Sequence, residues 1–344
     1  MRYPARVCQP SDPPRAQPHA RRSTATTAAT AFAALGVAGS LLLAGCGGSG
    51  GDGSASGPGG QLRVVATTTQ AGDFSRVIGG DLVEVTQLVK PNVDPHDFEP
   101  SPADLDAIAE ADVLVTNGVG LESWLDDAVE AAGFDGTRVV MADGVTLREG
   151  GHEHGDEDEE HADEHEHDPH VWHDPRNAKI MVAGIERAFA AADPENTGNY
   201  LANLTAYTVE LDELDRYTEA QIATIPEDQR LLVTNHDSFG YYTARYGITY
   251  VGAVIPSFDT SAELSGQAIQ EIVAKIRATG AKAVFSESSL SPKTADTIGR
   301  EADVTVIAGE DSLYADSLGP PGSAGGTYLT AERHNTDVIV AALR

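Results

Sequence analysis

The histidines of this chain are the residues whose type and spacing point most directly to chemistry. The sequence contains 11 of them, and one segment, residues 151–167, reads GHEHGDEDEEHADEHEH. Because a neutral imidazole nitrogen is the commonest protein ligand for transition metals, this composition indicates metal binding. Five other histidines stand alone in the main part of the chain: His96, His170, His173, His236 and His334.

Three of the isolated histidines and one aspartate occupy places where a ligand site is expected in an α/β fold. His96 follows the second predicted strand, and His170 comes at the end of the first group of strands. His236 follows the strand that opens the second group, and Asp316 follows the last strand. Because ligands of open α/β sheets bind beyond the carboxyl ends of the strands, these four side chains are able to face one cleft. Three imidazoles and one carboxylate make a closed tetrahedral set suited to Zn²⁺.

Each of these residues also has a simpler explanation. A single histidine in a Pro-rich turn is often only a hydrogen-bonded turn residue, and Asp-Ser before Gly, as at Asp316, is a common turn sequence. His173 lies three residues beyond His170, so it competes with His170 as a ligand or lines the cleft beside it. His334, within the predicted C-terminal helix, is interpreted as a surface or packing residue.

The elements that must position these residues read as two series of short strands. β-Branched runs alternate with Ala-rich helical segments, which is the pattern of parallel sheets with crossover helices. Between the two series, a helix of about 30 residues begins at Asp193-Pro194 and carries apolar residues at every third or fourth position. We therefore expect two α/β lobes joined by one long helix. The predicted strands are 62–68, 83–89, 113–117 and 138–142, then 230–235, 248–254, 283–286 and 304–308.

The segment rich in histidine and acidic residues is predicted to be a loop, because it has no large apolar side chain to anchor it. It is either a plain solvated loop or a weak metal collector beside the cleft. The His-x-His pairs favour the collector, since ordinary acidic loops contain few histidines. Its candidate weak metal ligands are His152, His154, His161, His165 and His167.

The first 45 residues have the features of a bacterial lipoprotein signal. Arginines precede an uncharged, Ala- and Leu-rich run from Ser23 to Gly45, like the positive start and apolar middle of a secretory signal. The run ends in Leu-Ala-Gly-Cys46, which resembles a lipobox with Cys46 as the lipidated residue. A transmembrane anchor is the alternative, although the run is barely apolar enough to span a bilayer. The Gly- and Ser-rich residues that follow read as a flexible tether.

The charge of the chain excludes several functions. The sequence carries 53 acidic and 23 basic side chains, a formal net charge of -30. Such a chain is a poor nucleic-acid binder, because phosphate contacts need an excess of Lys and Arg. It also lacks a His-Glu-x-x-His helix and a Gly-x-Ser-x-Gly elbow, so the sequence does not indicate an enzyme. Cations are the ligands that this charge favours.

Four motifs, in order along the chain, resemble those of a known family. They are PNVDPHDFEPS at 91–101, DPHVW at 168–172, NHDSFGY at 235–241 and DSLG at 316–319. With the His-rich loop, they are similar to the zinc/manganese substrate-binding proteins of metal-uptake ABC transporters, over residues 62–344. The resemblance implies two (β/α)₄ lobes with parallel sheets, one rigid bridging helix and a metal ion in the cleft between the lobes. Carried over by position, the ligands would be His96, His170, His236 and Asp316.

The resemblance also implies a cargo and a partner. Manganese-selective members tend to have a carboxylate at the position of His236, so a third imidazole favours Zn²⁺ over Mn²⁺. One departure is His173, where the family usually has an apolar residue. The implied function is capture of Zn²⁺ at the extracytoplasmic face of the bacterial cell membrane and its delivery to a membrane permease. A surface adhesin, a metal-sequestering lipoprotein and a zinc-dependent hydrolase are the alternatives.

The sequence and the resemblance together predict a lipid-anchored monomer in five parts. The predicted parts are a signal peptide at 1–45, a lipidated cysteine and tether at 46–60, an N-terminal lobe with its His-rich loop at 61–175, a helical segment with the bridging helix at 176–225, and a C-terminal lobe at 226–344. The tether is almost all Gly, Ser, Ala and Pro, so no regular structure is expected in it. The folded body has no cysteine, so its stability is expected to come from packing and from bound metal.

Overall fold

The computed structural model describes residues 60–149, 167–262 and 265–344. The predicted signal peptide, Cys46 and the tether before Gly60 lie outside the described residues. None of the helices in these three ranges combines the length and the apolarity that crossing a bilayer requires. Of the His-rich loop, His167 is described. The other four predicted loop ligands also lie outside the described residues: His152, His154, His161 and His165.

The first lobe is built on a parallel sheet of short, β-branched strands. Its strands are β1 (Leu62–Ala66), β2 (Val83–Gln87), β3 (Val113–Thr116) and β4 (Thr137–Val140). They lie in the spatial order β2-β1-β3-β4. Every residue of β3 is buried, as expected for a central strand that is covered on both faces. The first predicted series of strands is therefore confirmed.

Helices with well-defined starts connect these strands. They are α1 (Thr69–Gly79), α2 (Pro102–Glu110) and α3 (Leu125–Ala132). The Ser101 hydroxyl accepts a hydrogen bond from the amide of Asp104, whose carboxylate accepts one from the Ser101 amide. This capping box fixes the start of α2. The capping box thereby fixes where the loop between β2 and α2 ends, and this loop carries His96.

The second lobe repeats the plan of the first. Its strands lie in the order β6-β5-β7-β8, all parallel, so the second predicted series is also confirmed. They are β5 (Leu231–His236), β6 (Thr249–Ile255), β7 (Ala283–Phe285) and β8 (Thr305–Ile307). The helices of this lobe are α6 (Gly240–Tyr246), α7 (Gly266–Thr279), α8 (Lys293–Ala302) and α9 (Tyr328–Leu343).

A long helix bridges the two lobes, as the sequence predicts. After α4 (Pro175–Ala192), a single 3₁₀ turn (Pro194–Asn196) leads into α5 (Thr197–Ile222), which has 26 residues. The α-helix therefore begins later than the predicted Asp193-Pro194. The carboxylate of Asp193 accepts hydrogen bonds from the Asn196 amide group and the Tyr200 hydroxyl at 2.7 and 2.8 Å, which holds the tighter turn in place.

The bridging helix α5 contributes to the cores of both lobes. Its N-terminal three-quarters bury Tyr200, Tyr207, Leu211 and Leu214 in the core of the first lobe. Its last residue, Ile222, belongs to the core of the second lobe. A helix of this length spans about 39 Å. Because its side chains are packed at both ends, the helix acts as a strut and resists free hinge motion.

The C-terminal helix α9 forms a second link between the lobes. Tyr328 and Ala331, at its start, belong to the core of the first lobe, whereas Ile339 and Leu343, near its end, belong to that of the second. The Tyr328 hydroxyl also donates to the carbonyl of Trp172 at 2.6 Å. The chain therefore returns to the first lobe after β8. The sequence pattern gave no sign of this return, because each end of α9 reads as an ordinary apolar face.

Shortening a buried side chain of α5 is expected to destabilise the protein. Leu211 is fully buried in the first lobe, so Leu211→Ala should lower the free energy of unfolding by about 2–5 kcal/mol. Leu201 lies on the same helix with 53% of its surface exposed. Leu201→Ala, the matched control, should change stability by less than about 0.5 kcal/mol. Urea unfolding of both variants measures the difference, and equal losses would contradict the role of α5 as a packed strut.

Candidate metal centre

Four side chains from four separate parts of the chain meet between the lobes. His96 follows β2, His170 precedes the 3₁₀ turn Val171–His173, His236 is the last residue of β5, and Asp316 lies between β8 and α9. One potential ligand atom from each lies within 4.8 Å of the others. All four residues are buried. The structure thus brings together the four residues that the sequence selected.

The carboxylate of Asp316 lies at the centre of this cluster. One of its oxygens, Oδ1, is 3.2 Å from Nε2 of His170. The other, Oδ2, is 3.2 Å from Nε2 of His236 and 3.7 Å from Nε2 of His96. Each histidine therefore turns the same ring nitrogen toward one point. A cation placed there would meet three imidazole nitrogens and a carboxylate oxygen, the donor set that tetrahedral Zn²⁺ accepts.

The backbone around Asp316 is held by the first lobe. The side-chain amide of Gln70 donates to the carbonyl of Asp316 at 3.1 Å. The amide of Leu318 donates to the Thr69 hydroxyl at 2.8 Å, and the carbonyl of Leu318 accepts from the amide of Asn92 at 3.1 Å. Asp316 follows the last strand of the second lobe in sequence, yet its main chain is fixed by the start of α1 and the loop after β2.

The two lobes also touch beside the cluster. The hydroxyl of Thr260, after β6, donates to the carboxylate of Asp94 at 2.6 Å. The ring of Phe258 lies 6.2 Å from that of His170 and is itself 92% covered. Asp94 belongs to the loop that carries His96, so the contact joins the first lobe to the loop after β6. The lobes are therefore in contact beside the cluster, whose four residues are all buried.

Burial and charge shift the pKa values of the cluster in opposite directions. Burial alone would lower the pKa of His170, but its hydrogen bonds to Asp168 and Asp316, together with their charges, raise it to about 9. Burial likewise opposes charge on His236, and the charges of Asp316 and Glu287 outweigh it and raise its pKa well above 6.5. Burial would raise the pKa of Asp316, but the neighbouring charged imidazoles hold it well below 3.8.

His96 differs from the other two imidazoles of the cluster. Burial is the main cause that lowers its pKa to about 3, against the attraction of Asp316 and with the repulsion of His170 and His236. These shifts favour protons on His170 and His236 at neutral pH and a neutral His96. Three carboxylates face the two protonated rings: Asp316 from the centre, and Asp168 and Glu287 from behind. A bound cation has to displace both protons, since ligation requires neutral imidazoles.

The remaining isolated histidines lie outside the cluster. His173 is fully buried, and its Nδ1 is 2.7 Å from the carboxylate of Glu332 on α9. Its ring stacks on that of Phe239, with 4.4 Å between the ring centres. His334 contacts the carbonyl of Ser312 through Nε2 at 3.0 Å. Among the described residues, neither histidine belongs to a group that could hold a metal ion.

Two acidic residues at the site were not selected from the sequence. Asp168 and Glu287 are both 1% exposed, and they contact Nδ1 of His170 and of His236. Asp168 opens the motif DPHVW at 168–172, which draws attention to His170 and not to the aspartate. Glu287 comes two residues after the central strand β7, so its position at a strand's carboxyl end was the signal that could have found it.

Comparison with known proteins points to metal transport. The family model of zinc-uptake complex component A, periplasmic (ZnuA), matches residues 64–342. The metal ABC transporter substrate-binding lipoprotein FimA of Streptococcus parasanguinis is 31% identical over 299 residues, which cover 85% of this chain and 92% of FimA. The manganese-binding lipoprotein MntA of Bacillus subtilis is 33% identical over 293 residues, which cover 83% of this chain and 90% of MntA.

The fold comparison gives the same picture. The periplasmic zinc binding protein TroA from Treponema pallidum superposes with a TM-score of 0.72 at 27% identity. The match covers 83% of this chain and 99% of the TroA chain. TroA therefore has the same fold, with two parallel sheets and a long helix between them, and it is named for zinc binding.

Metal binding is expected to release protons from the cluster. Because the pKa values of His170 and His236 are both raised, to about 9 for His170, and both rings must be neutral to bind metal, metal binding at neutral pH should release about two protons. The apparent affinity should therefore fall as the pH is lowered. Calorimetric titration in buffers of different ionisation enthalpy counts the protons. His173→Gln, outside the cluster, should release the same number, and a count of zero for the unaltered protein would contradict the charge assignment.

Proposed function

The chain belongs to the family of the zinc-uptake complex component A, ZnuA, and we propose that its own cargo is Zn²⁺. Members of this family are the extracytoplasmic metal-binding components of ABC transporters, and they are not enzymes. They work with a membrane permease. In this proposal the chain takes up Zn²⁺ between its lobes and delivers it to such a permease.

The composition of the cluster carries the choice of zinc. Three imidazole nitrogens and one carboxylate favour Zn²⁺, whereas Mn²⁺ prefers sites with more oxygen ligands. The relatives leave this choice open, since MntA is named for manganese and TroA for zinc. His236 is the decisive residue, because a carboxylate in its place would supply the additional oxygen. The proposed ligands are His96, His170, His236 and Asp316.

The arrangement of the proposed ligands supports capture rather than hydrolysis. A hydrolytic zinc needs an open coordination position for water and a separate base. Asp316 lies among the three imidazoles and is 1% exposed, which supports a role as a ligand over that of a base at an open position. A closed set of four protein ligands is suited to holding an ion.

The two lobes supply a route for release. His236 is part of β5 in the second lobe, whereas His96, His170 and the backbone of Asp316 are held by the first. Movement of the second lobe would therefore withdraw one ligand and leave three in place. Because α5 and α9 are packed into both lobes, such a movement has to be small or driven by the permease.

The lipid anchor at Cys46 and the monomeric state stay predictions from the sequence. FimA and MntA are both named lipoproteins, which supports an anchor in this chain. The boundaries predicted for the five parts of the chain likewise stay predictions. A lipidated Cys46 followed by the tether would hold the folded body at the extracytoplasmic face of the membrane.

The proposal predicts that four alanine variants lose tight zinc binding. Replacing His96, His170, His236 or Asp316 by Ala removes one of four ligands. Each variant should bind zinc more than about 100-fold more weakly, a larger loss than outer residues of metal sites usually cause. Competition with a chromophoric chelator measures the affinity. His334→Ala, which removes an imidazole outside the cluster, is the matched control and should bind as the unaltered protein does.

Two outcomes of this experiment would contradict the proposal. Full zinc affinity in His96→Ala or His236→Ala would show that the ion binds elsewhere. Equal or tighter binding of Mn²⁺ by the unaltered protein, measured with the same chelator, would contradict zinc as the cargo while leaving the site in place.

The His-rich loop is proposed to be a weak collector of zinc. Deleting residues 151–166 keeps His167, which pairs with Glu149 across the base of the loop. The deletion should remove the additional weak equivalents of zinc and leave one tight equivalent, because the cluster itself is untouched. Zinc stoichiometry by equilibrium dialysis measures both. An unchanged stoichiometry would contradict the collector role and favour a plain solvated loop.

A further inference from the structure

Two buried carboxylates contact the rear nitrogens of two proposed ligands. Nδ1 of His170 lies 2.8 Å from Oδ1 of Asp168, and Nδ1 of His236 lies 2.7 Å from Oε2 of Glu287. Both carboxylates are 1% exposed, and neither belongs to the cluster of four. In each histidine the opposite nitrogen, Nε2, faces Asp316.

A carboxylate behind an imidazole decides which ring nitrogen can bind metal. An ionised carboxylate only accepts hydrogen bonds, so the ring nitrogen facing it must carry the proton. The neutral ring then has its free electron pair on Nε2. This is the nitrogen that both His170 and His236 direct to the common point. Such outer partners fix the tautomer and the orientation of metal-binding histidines.

The two carboxylates make their contacts in different ways. Glu287 uses both oxygens on His236: Oε1 accepts from the backbone amide at 2.9 Å, and Oε2 contacts Nδ1. Asp168 uses one oxygen on His170: Oδ1 accepts from the backbone amide at 3.0 Å and also contacts Nδ1. Its second oxygen lies 3.6 Å from the guanidinium of Arg148. Glu287 therefore has no spare oxygen, whereas Asp168 has one.

The main chain at Glu287 also connects its ligand to another one. The residues on both sides of Glu287 bond to Leu313: the Leu313 amide donates to the Ser286 carbonyl, and the Ser288 amide donates to the Leu313 carbonyl, both at 2.9 Å. Leu313 is three residues before Asp316. Residues 286–288 thus contact the ring of His236 through Glu287, and they also hold the main chain just before Asp316 through Leu313.

We propose that Glu287 and Asp168 are positioning residues for the cargo ion, and that the site depends strictly on Glu287 and only weakly on Asp168. The proposal rests on the proposed function, because it takes His170 and His236 as ligands. It assigns to Glu287 the selection of the metal-binding tautomer of His236. It assigns to Asp168 a contact that a neutral amide can replace.

The variant Glu287→Gln separates these roles, because it keeps the size of the side chain. Glutamine offers one acceptor oxygen and one NH₂ group, whereas His236 presents two donors, its backbone amide and Nδ1–H. Either orientation of the amide places a donor against a donor. The ring must then rotate or move its proton to Nε2, which removes the ligand. Zinc affinity is expected to fall about 10–100-fold.

The variant Asp168→Asn should be far milder. Asparagine can place its single oxygen where Oδ1 lies and so accept both donors of His170. Its NH₂ group then takes the place of Oδ2 beside Arg148, outside the contact with the ring. We expect a loss of zinc affinity at least about fivefold smaller than that of Glu287→Gln, since the hydrogen bonds to the ligand are kept.

A matched control exists in the same protein. His173 and Glu332 form another buried histidine–carboxylate pair, 2.7 Å apart, outside the cluster. Glu332→Gln makes the same chemical change as Glu287→Gln at a histidine that is not a proposed ligand. It should leave zinc affinity unchanged, even if both variants lose similar thermal stability.

The experiment combines affinity with a signal from the ring itself. Zinc affinity is measured by chelator competition for the unaltered protein and the three variants. Nitrogen-15 NMR of the zinc-loaded protein follows the hydrogen-bonded Nδ1 proton of His236, which should shift or vanish in Glu287→Gln and persist in Asp168→Asn and Glu332→Gln. Equal zinc affinity of Glu287→Gln and the unaltered protein would overturn the proposal, as would an equal loss in Glu332→Gln.

A further pair of variants covers the case in which Glu287→Gln does not fold. Glu287→Asp keeps two acceptor oxygens but shortens their reach, so it should weaken zinc binding while Glu332→Asp does not. Failure of this proposal is distinct from failure of the proposed function. If His236→Ala binds zinc tightly, His236 is not a ligand; if only Glu287→Gln binds tightly, the ligand stands and the positioning role falls.

Discussion

The carboxylate of Asp316, buried among three imidazoles, is the constraint on which the rest of the structure depends. A charge taken out of water is costly unless it is paired and hydrogen-bonded. Here the ring nitrogens of His170 and His236, each 3.2 Å away, supply that compensation. Against the effect of burial, the charges of these two imidazoles hold the pKa of Asp316 well below its usual range. A cluster built in this way favours positive charge at its centre, which is the condition that the proposed cation site requires.

The fold brings these groups together through the ends of its strands and through one returning segment. Parallel strands of both sheets end toward the cleft, which places His236 and the loop of His96 there. Asp316 arrives differently, on a stretch that leaves the second lobe and is fastened to Thr69 and Gln70 of the first. The helices α5 and α9 are packed into the cores of both lobes, so the four clustered side chains are held with little freedom. Such preorganisation would favour tight binding of the proposed ion and leave its release to an outside force.

Charge acts on two scales in this protein. The net charge of -30 raises the local concentration of cations around the molecule, but it does not distinguish Zn²⁺ from other divalent ions. Distinction is a matter of donor type within a few ångströms. The carboxylates behind His170 and His236 belong to this short range, because they determine which nitrogen each ring presents. A substitution such as Glu287→Gln is therefore expected to change the affinity for the ion, although residue 287 does not itself bind it.

The sequence by itself determined the two series of strands, the bridging helix and the identity of the four clustered residues. Strand periodicity, the capping box at Ser101 and the motifs around each histidine depend on residues that are close in sequence. They can therefore be recognised without the tertiary structure. The sequence pattern places the start of α5 a few residues too early. The hydrogen bond from Tyr200 to the Asp193 carboxylate stabilises the 3₁₀ turn, and the spacing of apolar residues does not reveal such a contact.

Only the tertiary structure decided that His173 turns to Glu332, that Asp316 is fastened to the first lobe, and that Glu287 stands behind His236. Each of these contacts joins residues 50 or more positions apart. Their partners are chosen by the packing of α9 and by the order of the strands, which arise from the whole chain and from no segment of it.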